Sequence, residues 1–327
     1  MTSSPDETSA ASAAPRALVT GAAGFIGAHL VRRLAAGGQA VAALARPSSD
    51  LWRLDGCPAG VTVVRGDLRD LGRGTLDAAL GDVDVIYHLA AAGVDQAQQD
   101  ADALVETNVA GTLAVLRLAE RVGARRVVYC GSCFEYGAVA SATEGMLPAP
   151  AAEYGATKAA GWMLAHAFAR RTGLAVVSLR PFTVYGPMEG AHRLIPYTIL
   201  RALDGDVLEL TGGEQTRDFV FVDDAVDAFV AAGASPDAAG GTFNVCSGAE
   251  TSVRHVVETI VELTGGRAVA RFGARPYRAV EMWRLSGSPE RARAVLGWRA
   301  ATPLRAGLER TVEWFRAHRA AHAVYRS

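Results

Sequence analysis

The chain has 327 residues, half of them hydrophobic, with 33 Lys+Arg against 34 Asp+Glu and a net charge of −1. That balance excludes a basic nucleic-acid footprint, and the length and apolar content exclude wholesale disorder while suiting one large domain or two joined lobes. Cys57, Cys130, Cys133 and Cys246 lack the paired spacings of a zinc site and are too few to staple a fold of this size, so a reduced cytoplasm and no metal are expected.

Residues 1–14, MTSSPDETSAASAA, have nothing to bury and read as a disordered tail. They are also acidic and polar where a signal peptide is basic and then apolar, and no apolar run reaches the ~20 residues that cross a bilayer. A soluble chain with no membrane partner is expected. Ala17–Thr20 predicts a short strand, Gly24–Leu34 a helix and Ala40–Ala45 a second strand. Val61–Arg65, Val83–Leu89 and Arg126–Cys130 follow as strands, with helices at Leu104–Val122 and Tyr154–Thr172. Apolar runs alternating with amphipathic helices mean βαβ units, which right-handed crossovers wind into a Rossmann-type, doubly wound parallel α/β sheet. After Leu174–Leu179 the prolines at 181, 187 and 196 and glycines at 186, 190, 205, 212 and 213 break this rhythm. A smaller C-terminal α+β lobe is expected there, with helices at Thr251–Leu263 and Pro303–His318 and with Trp298, Trp314 and Phe315 as its core.

Between the first strand and first helix stand Gly21, Gly24 and Gly27, three residues apart. The first allows a tight turn, the second close approach of a pyrophosphate and the third close helix packing, while the helix N-terminus favours the anion. The backbone from Gly21 through Ala23, Gly24, Phe25 and Ile26 to Gly27 is thus a dinucleotide cradle. An NAD binder places an acid at the end of its second strand, on the ribose 2′-hydroxyl. Here Val41–Ala45 runs into Arg46, Pro47, Ser48 and Ser49. A guanidinium with two hydroxyls suits a 2′-phosphate, so NADP is favoured and NAD is the alternative, with a solvated surface arginine as the plain reading of Arg46.

These residues, together with Gly66–Leu68, His88–Ala91, Asn108–Thr112, Tyr154–Lys158, Arg180–Pro187 and Arg217–Asp223, run along nearly the whole chain. The chain resembles the extended short-chain dehydrogenase/reductases of the nucleotide-sugar epimerase/dehydratase group. The resemblance implies that Asp67 and Leu68 contact the adenine, that Leu89, Ala90, Ala91 and Pro181 line the cofactor, and that Asn108 supports the site. It implies a nucleoside-diphosphate sugar as substrate, with Arg217 on its diphosphate, and a homodimer through two long helices per subunit offering Ala110, Leu113, Leu116, Ala160, Met163 and Leu164. The expected division is a dinucleotide-binding domain over 15–181 plus 217–248 and a sugar-nucleotide lobe over 182–216 plus 249–327. The family often carries asparagine where Thr183 stands, which leaves the diphosphate donor of that segment open. His192 and Arg193 are either sugar contacts or surface groups.

Tyr154 and Lys158 lie four apart, on one helix face. A nearby ammonium and an oxidised nicotinamide would lower the phenol's pKa, so that it exchanges a proton with a sugar oxygen as hydride moves. Lys158 would also hold the cofactor's ribose. Ser132 stands four residues before Tyr136, where the family keeps its Ser or Thr on the reacting oxygen. Sugar 4,6-dehydratases resemble one another in an Asp-Glu pair directly after that residue, and this chain has Cys133 and Phe134. Phenylalanine moves no proton, so dehydration is disfavoured. Cys133 is a candidate substrate contact and proton carrier, as a cysteine one position later is in the GDP-fucose-type epimerase/reductases, with a packed thiol as the better reading; Phe134 reads as an apolar wall for the sugar, and Glu135 as shifted by one residue onto the opposite face. Arg46 then tilts the expectation to NADPH-dependent reduction of a nucleotide-linked 4-keto-6-deoxy sugar. An NAD-dependent 4-epimerase is the alternative, and a non-catalytic dinucleotide sensor is disfavoured because Tyr154 and Lys158 are both present.

Overall fold

The computed structural model describes residues 16–94, 100–277 and 281–325, and the expected tail at residues 1–14 lies outside them. Seven short strands form one sheet: β1 (Ala17–Thr20), β2 (Val41–Ala45), β3 (Val61–Arg65), β4 (Val85–His88), β5 (Arg126–Cys130), β6 (Ala175–Pro181) and β7 (Thr242–Val245). Every pairing is parallel, in the order β7-β6-β5-β4-β1-β2-β3. β1, β2 and β4 are buried at every residue, as an apolar strand covered on both faces must be. The edge strand β3 exposes three of its five residues. Winding reverses between β1 and β4, and such a switch opens a ligand crevice at the carboxyl ends of the strands.

Helices α1 (Phe25–Ala36), α2 (Gly111–Arg121), α3 (Glu153–Thr172) and α4 (Val222–Ala234) cover the two faces. Strand alternation divides the core: Leu18 joins Val115, Leu118 and Phe168 on one side, and Val19 joins Val31, Val128 and Phe229 on the other. Leu116 belongs to the first of these cores, which corrects its expected place in a subunit seam.

Two other expectations change. The helix expected over Leu104–Val122 is not regular: a short helix at Ala101–Leu104 passes through a π-helical stretch, Val105–Ala110, before α2 begins. Trp298, Trp314 and Phe315 do not make a core of their own. They pack into the cluster that holds Val19 and Val128, because α5 (Leu304–His318) lies against the paired strands Thr183–Tyr185 and Phe219–Phe221. Gly307 makes that seat close, since a Cβ there would fall 2.1 Å from the Tyr185 hydroxyl. A four-stranded sheet, ordered Thr251–Ser252, Thr216–Arg217, Arg284–Gly287 and Val139–Ala142, and a pair formed by Val207–Leu210 with Val269–Phe272 complete the strands among the described residues. No helix among those residues is long and apolar enough to cross a membrane.

Candidate active site

The glycine turn fits a dinucleotide. Gly21 has φ +69°, and a Cβ on it would lie 2.7 Å from the Ala90 nitrogen. A Cβ on Gly27 would lie 2.2 Å from the Gly21 carbonyl oxygen. Gly24 caps α1 without any side-chain hydrogen bond, which leaves the first-turn N–H groups behind Ala23, at Phe25 and Ile26, to meet an anion. At the end of β2, Arg65 Nη1 donates to the carbonyls of Arg46, Pro47 and Ser49 at 3.0, 3.3 and 2.7 Å, fixing this loop with the Arg46 and Ser48 side chains exposed. Asp67 is already engaged. Its carboxylate accepts from Arg69 N and Arg69 Nε at 3.0 and 2.9 Å, and that hydrogen bonding holds its pKa below the ordinary value. Leu68 packs beside it at the foot of α2, where Gly111 leaves it room.

A chain of buried hydrogen bonds leads from this cradle to the reactive groups. Ala90 N donates to Thr20 Oγ1 at 3.2 Å, and the His88 ring bridges Thr20 and Thr112 at 2.8 and 3.1 Å. Burial drives the His88 pKa down to about 3, so the ring is neutral. Asn108, in the π-helical stretch, accepts from Ala92 N at 2.9 Å and donates to Ala92 O and Thr157 Oγ1 at 3.1 and 3.0 Å. Thr157 donates in turn to Tyr154 O. Asn108 is thereby a strut between the Leu89–Ala92 loop and α3, with its side-chain oxygen and nitrogen both taken by the protein.

The first turns of α3 bring the Tyr154 phenol beside Ser132, which draws its pKa down. Burial nevertheless pushes that phenol well above its ordinary pKa. Lys158 is buried over the Tyr129 ring, 4.7 Å from its centroid, while Tyr129 Oη donates to the Lys158 carbonyl at 2.8 Å. Burial lowers the ammonium pKa, and nearby Cys130 and Glu135 oppose that.

Ser132 caps a 3-10 turn, Cys133–Glu135, so Glu135 is not on an extended strand exit with strand alternation. It folds back beneath the loop, where Oε1 accepts from Ser132 N at 2.7 Å and Oε2 accepts from Arg180 Nε at 2.8 Å. Cys133 is packed with Phe182, Cys246 and Leu285, and burial pushes its thiol up to about 12. Phe134 meets Tyr154 edge to face at 6.0 Å. Pro181 closes β6 and pairs with Val245. Thr183 donates its backbone N–H to Asp218 O. Arg217 Nη2 lies 3.2 Å from Glu281, and Arg193 reaches Val94 O at 3.3 Å and Glu189 at 3.7 Å. Sequence reasoning missed Glu189 and Glu281 as members of these networks, and it placed Arg180 in the Arg180–Pro187 motif without its role, because each role is defined by a contact partner.

The glycine cradle, the parallel sheet and a Ser–Tyr–Lys set on one crevice define a dinucleotide-dependent enzyme of the extended short-chain dehydrogenase/reductase type. The family model described as "NAD dependent epimerase/dehydratase family" matches residues 17–246, and the chain belongs to that family. It is 35% identical over 314 residues to a UDP-glucose 4-epimerase of Mycolicibacterium smegmatis, covering 92% of this chain and 98% of that one. Among solved structures it resembles MoeE5 in complex with UDP-glucuronic acid and NAD, at 35% identity and TM-score 0.82 over 92% of this chain and 99% of that one. It also resembles DesIV, a dTDP-glucose 4,6-dehydratase from Streptomyces venezuelae with NAD and TYD bound, at 32% identity and TM-score 0.85 over 95% and 100%.

Proposed function

We propose that the protein is an NAD-dependent 4-epimerase of a nucleoside-diphosphate sugar. The observation that carries this reading is the proton inventory of the crevice. Ser132 stands beside the Tyr154 phenol and Lys158 lies one helical turn along α3, whereas the next two positions offer a packed thiol and a phenylalanine and Glu135 is bound to Arg180. That set serves proton exchange at one sugar hydroxyl and lacks the further acid and base that elimination needs. The likeness to the mycobacterial 4-epimerase supports it.

Ser132 holds the C4 oxygen, and Tyr154 takes the hydroxyl proton and gives it back. Lys158 supplies positive charge near the phenolate and binds the cofactor's ribose. The bound dinucleotide supplies hydride acceptance and donation at C4. Residues 15–181 with 217–248 hold the dinucleotide in this reading, and 182–216 with 249–327 hold the sugar nucleotide, with Arg217 exchanging Glu281 for the diphosphate. Two copies pair through the exposed faces of α2 and α3, where Leu113 and Leu164 line a shallow apolar groove.

Arg46, standing where an NAD binder has its acid, favours a second reading, the NADPH-dependent 4-ketoreductase. Purified protein incubated with UDP- and dTDP-hexoses separates the two. Interconversion of C4 epimers with no net change at the reduced-nicotinamide absorbance is expected. Stoichiometric NADPH loss on a 4-keto-6-deoxy sugar nucleotide, without epimerisation, assigns the reductase instead. Tyr154→Phe is expected to remove at least about 99% of turnover in either case.

A further inference from the structure

Glu135 and Arg180 form an ion pair that is 0% and 1% exposed, placed directly under the loop that carries Ser132. One carboxylate oxygen receives the Ser132 backbone N–H at 2.7 Å and the other receives Arg180 Nε at 2.8 Å, so both oxygens are committed. The loop is shaped around this carboxylate, since a Cβ on Gly131 would fall 2.5 Å from Glu135 Oε1. Arg180 is itself anchored. Its Nη1 donates to Tyr136 Oη at 2.8 Å, Tyr136 Oη donates to Asn244 Oδ1 at 2.8 Å, and Asn244 is the cross-strand partner of Arg180 in β7. The guanidinium also lies over the ring of Trp162, 5.1 Å from its centroid, and Trp162 belongs to the helix that bears Tyr154 and Lys158. At the start of that helix Gly155 presses on the same loop, where a Cβ would fall 2.4 Å from Phe134 O.

We propose that the Glu135–Arg180 pair is a positioning device for the reaction: it fixes the Ser132 loop against α3 and sets a permanent negative charge behind Tyr154 and Lys158. The proposal rests on the catalytic reading of Ser132, Tyr154 and Lys158 given above. Arg180 does not deprotonate in a protein, so a neutral Glu135 would strand its charge in the core, and the pair is ionic. The groups that face Glu135 are Arg180 on β6, Tyr154 and Lys158 on α3, Tyr129 and Cys130 on β5, and Cys133 and Tyr136 on its own loop. Its charge favours the ammonium of Lys158 and opposes ionisation of Tyr154.

Glu135→Gln tests this. A glutamine has one acceptor oxygen for two donors, Ser132 N–H and Arg180 Nε–H, so one contact is lost whichever way the amide turns. The expected result is a kcat about 10- to 100-fold lower with KM for the sugar nucleotide and dinucleotide affinity little changed. The limb of the kcat profile on which Tyr154 ionises is expected to move to lower pH, which a merely structural role would not produce. If Glu135→Gln fails to fold, the double variant Glu135→Leu/Arg180→Met removes both charges, strands neither and leaves the Ser132 N–H without its acceptor, so the same fall in kcat with KM little changed is expected of it. A folded variant with wild-type kcat and an unmoved profile overturns the proposal. Tyr154→Phe run alongside keeps the two claims apart: turnover surviving in it overturns the catalytic reading, whereas its loss together with unaffected Glu135 variants overturns only the positioning role.

Discussion

Two loops at the carboxyl edge of the fold each bury a glutamate, and they treat its charge in opposite ways. Under the Ser132 loop, Glu135 has an arginine at 2.8 Å and a backbone donor at 2.7 Å, with all partners out of solvent. In the loop after Tyr185, Glu189 is 5% exposed, its nearest cation is the partly exposed Arg193 at 3.7 Å, and its Oε2 has no hydrogen-bond partner. Burial pushes the Glu189 carboxyl up to about 8, and Arg193 and the Gly186 N–H only partly offset it. Burial raises Glu135 too, but its close cation keeps it ionic. Depth alone does not decide the protonation of a buried acid; the nearest fully buried donor does.

The largest effect that separates the two loops is on stability. Arg180→Met leaves Glu135 buried without its cation and is expected to cost about 3–5 kcal/mol in denaturant unfolding. Arg193→Met, with a longer and wetter contact, is expected to stay within about 0.5 kcal/mol. Equal costs for the two would break the contrast.

A second effect has the opposite sign. The folded state keeps a proton on Glu189 up to about pH 8, while the unfolded chain releases it near 4.5. Between those values the folded state binds more protons, so this group's stabilising contribution, present in full below pH 4.5, is lost as the pH rises through 8. Glu189→Gln carries no such slope. It is expected to match the wild type near pH 4 and to be more stable by roughly 2–4 kcal/mol at pH 8, read from denaturant midpoints at both pH values. An advantage over the wild type no larger at pH 8 than at pH 4 would mean that Glu189 finds a charge partner.

Much of this molecule is legible in its sequence for physical reasons. β1 and β5 begin and end where their apolar runs do, because a doubly covered strand has no other way to hide its backbone. Gly21, Gly27 and the Tyr154/Lys158 spacing are readable because local geometry alone dictates them. The other half of the site is not local. Glu135 is visible as an oddity four residues before Val139, but its role depends on Arg180, 45 residues away, and on Asn244, 108 residues from Tyr136. Asn108 sits in a π-helical stretch, and a six-residue departure from the 3.6 period leaves no mark in an Ala/Val/Thr-rich segment. The arginine that orders the Arg46 loop, Arg65, comes from the neighbouring strand.

The smallest expected effect probes what holds the Glu189 loop in place of an ion pair. Tyr325, near the chain's end, donates its hydroxyl to the Glu189 carbonyl at 2.7 Å, and Arg53 Nε donates to the Met188 carbonyl at 2.8 Å while Nη1 reaches Ala23 O in the glycine turn. The Tyr325 ring sits in a cluster with Trp52, Trp314 and Phe315, so its position does not depend on the hydroxyl. Tyr325→Phe keeps that packing and removes one donor from a buried carbonyl, which is expected to cost about 1 kcal/mol. Amide exchange at residues 186–193 is expected to speed up, while the Ser132 loop, held by Glu135 and Arg180, exchanges as before. Equal acceleration in both loops would mean that the C-terminal segment braces the whole crevice edge, and the division between an ion-pinned loop and a tail-pinned loop would fall.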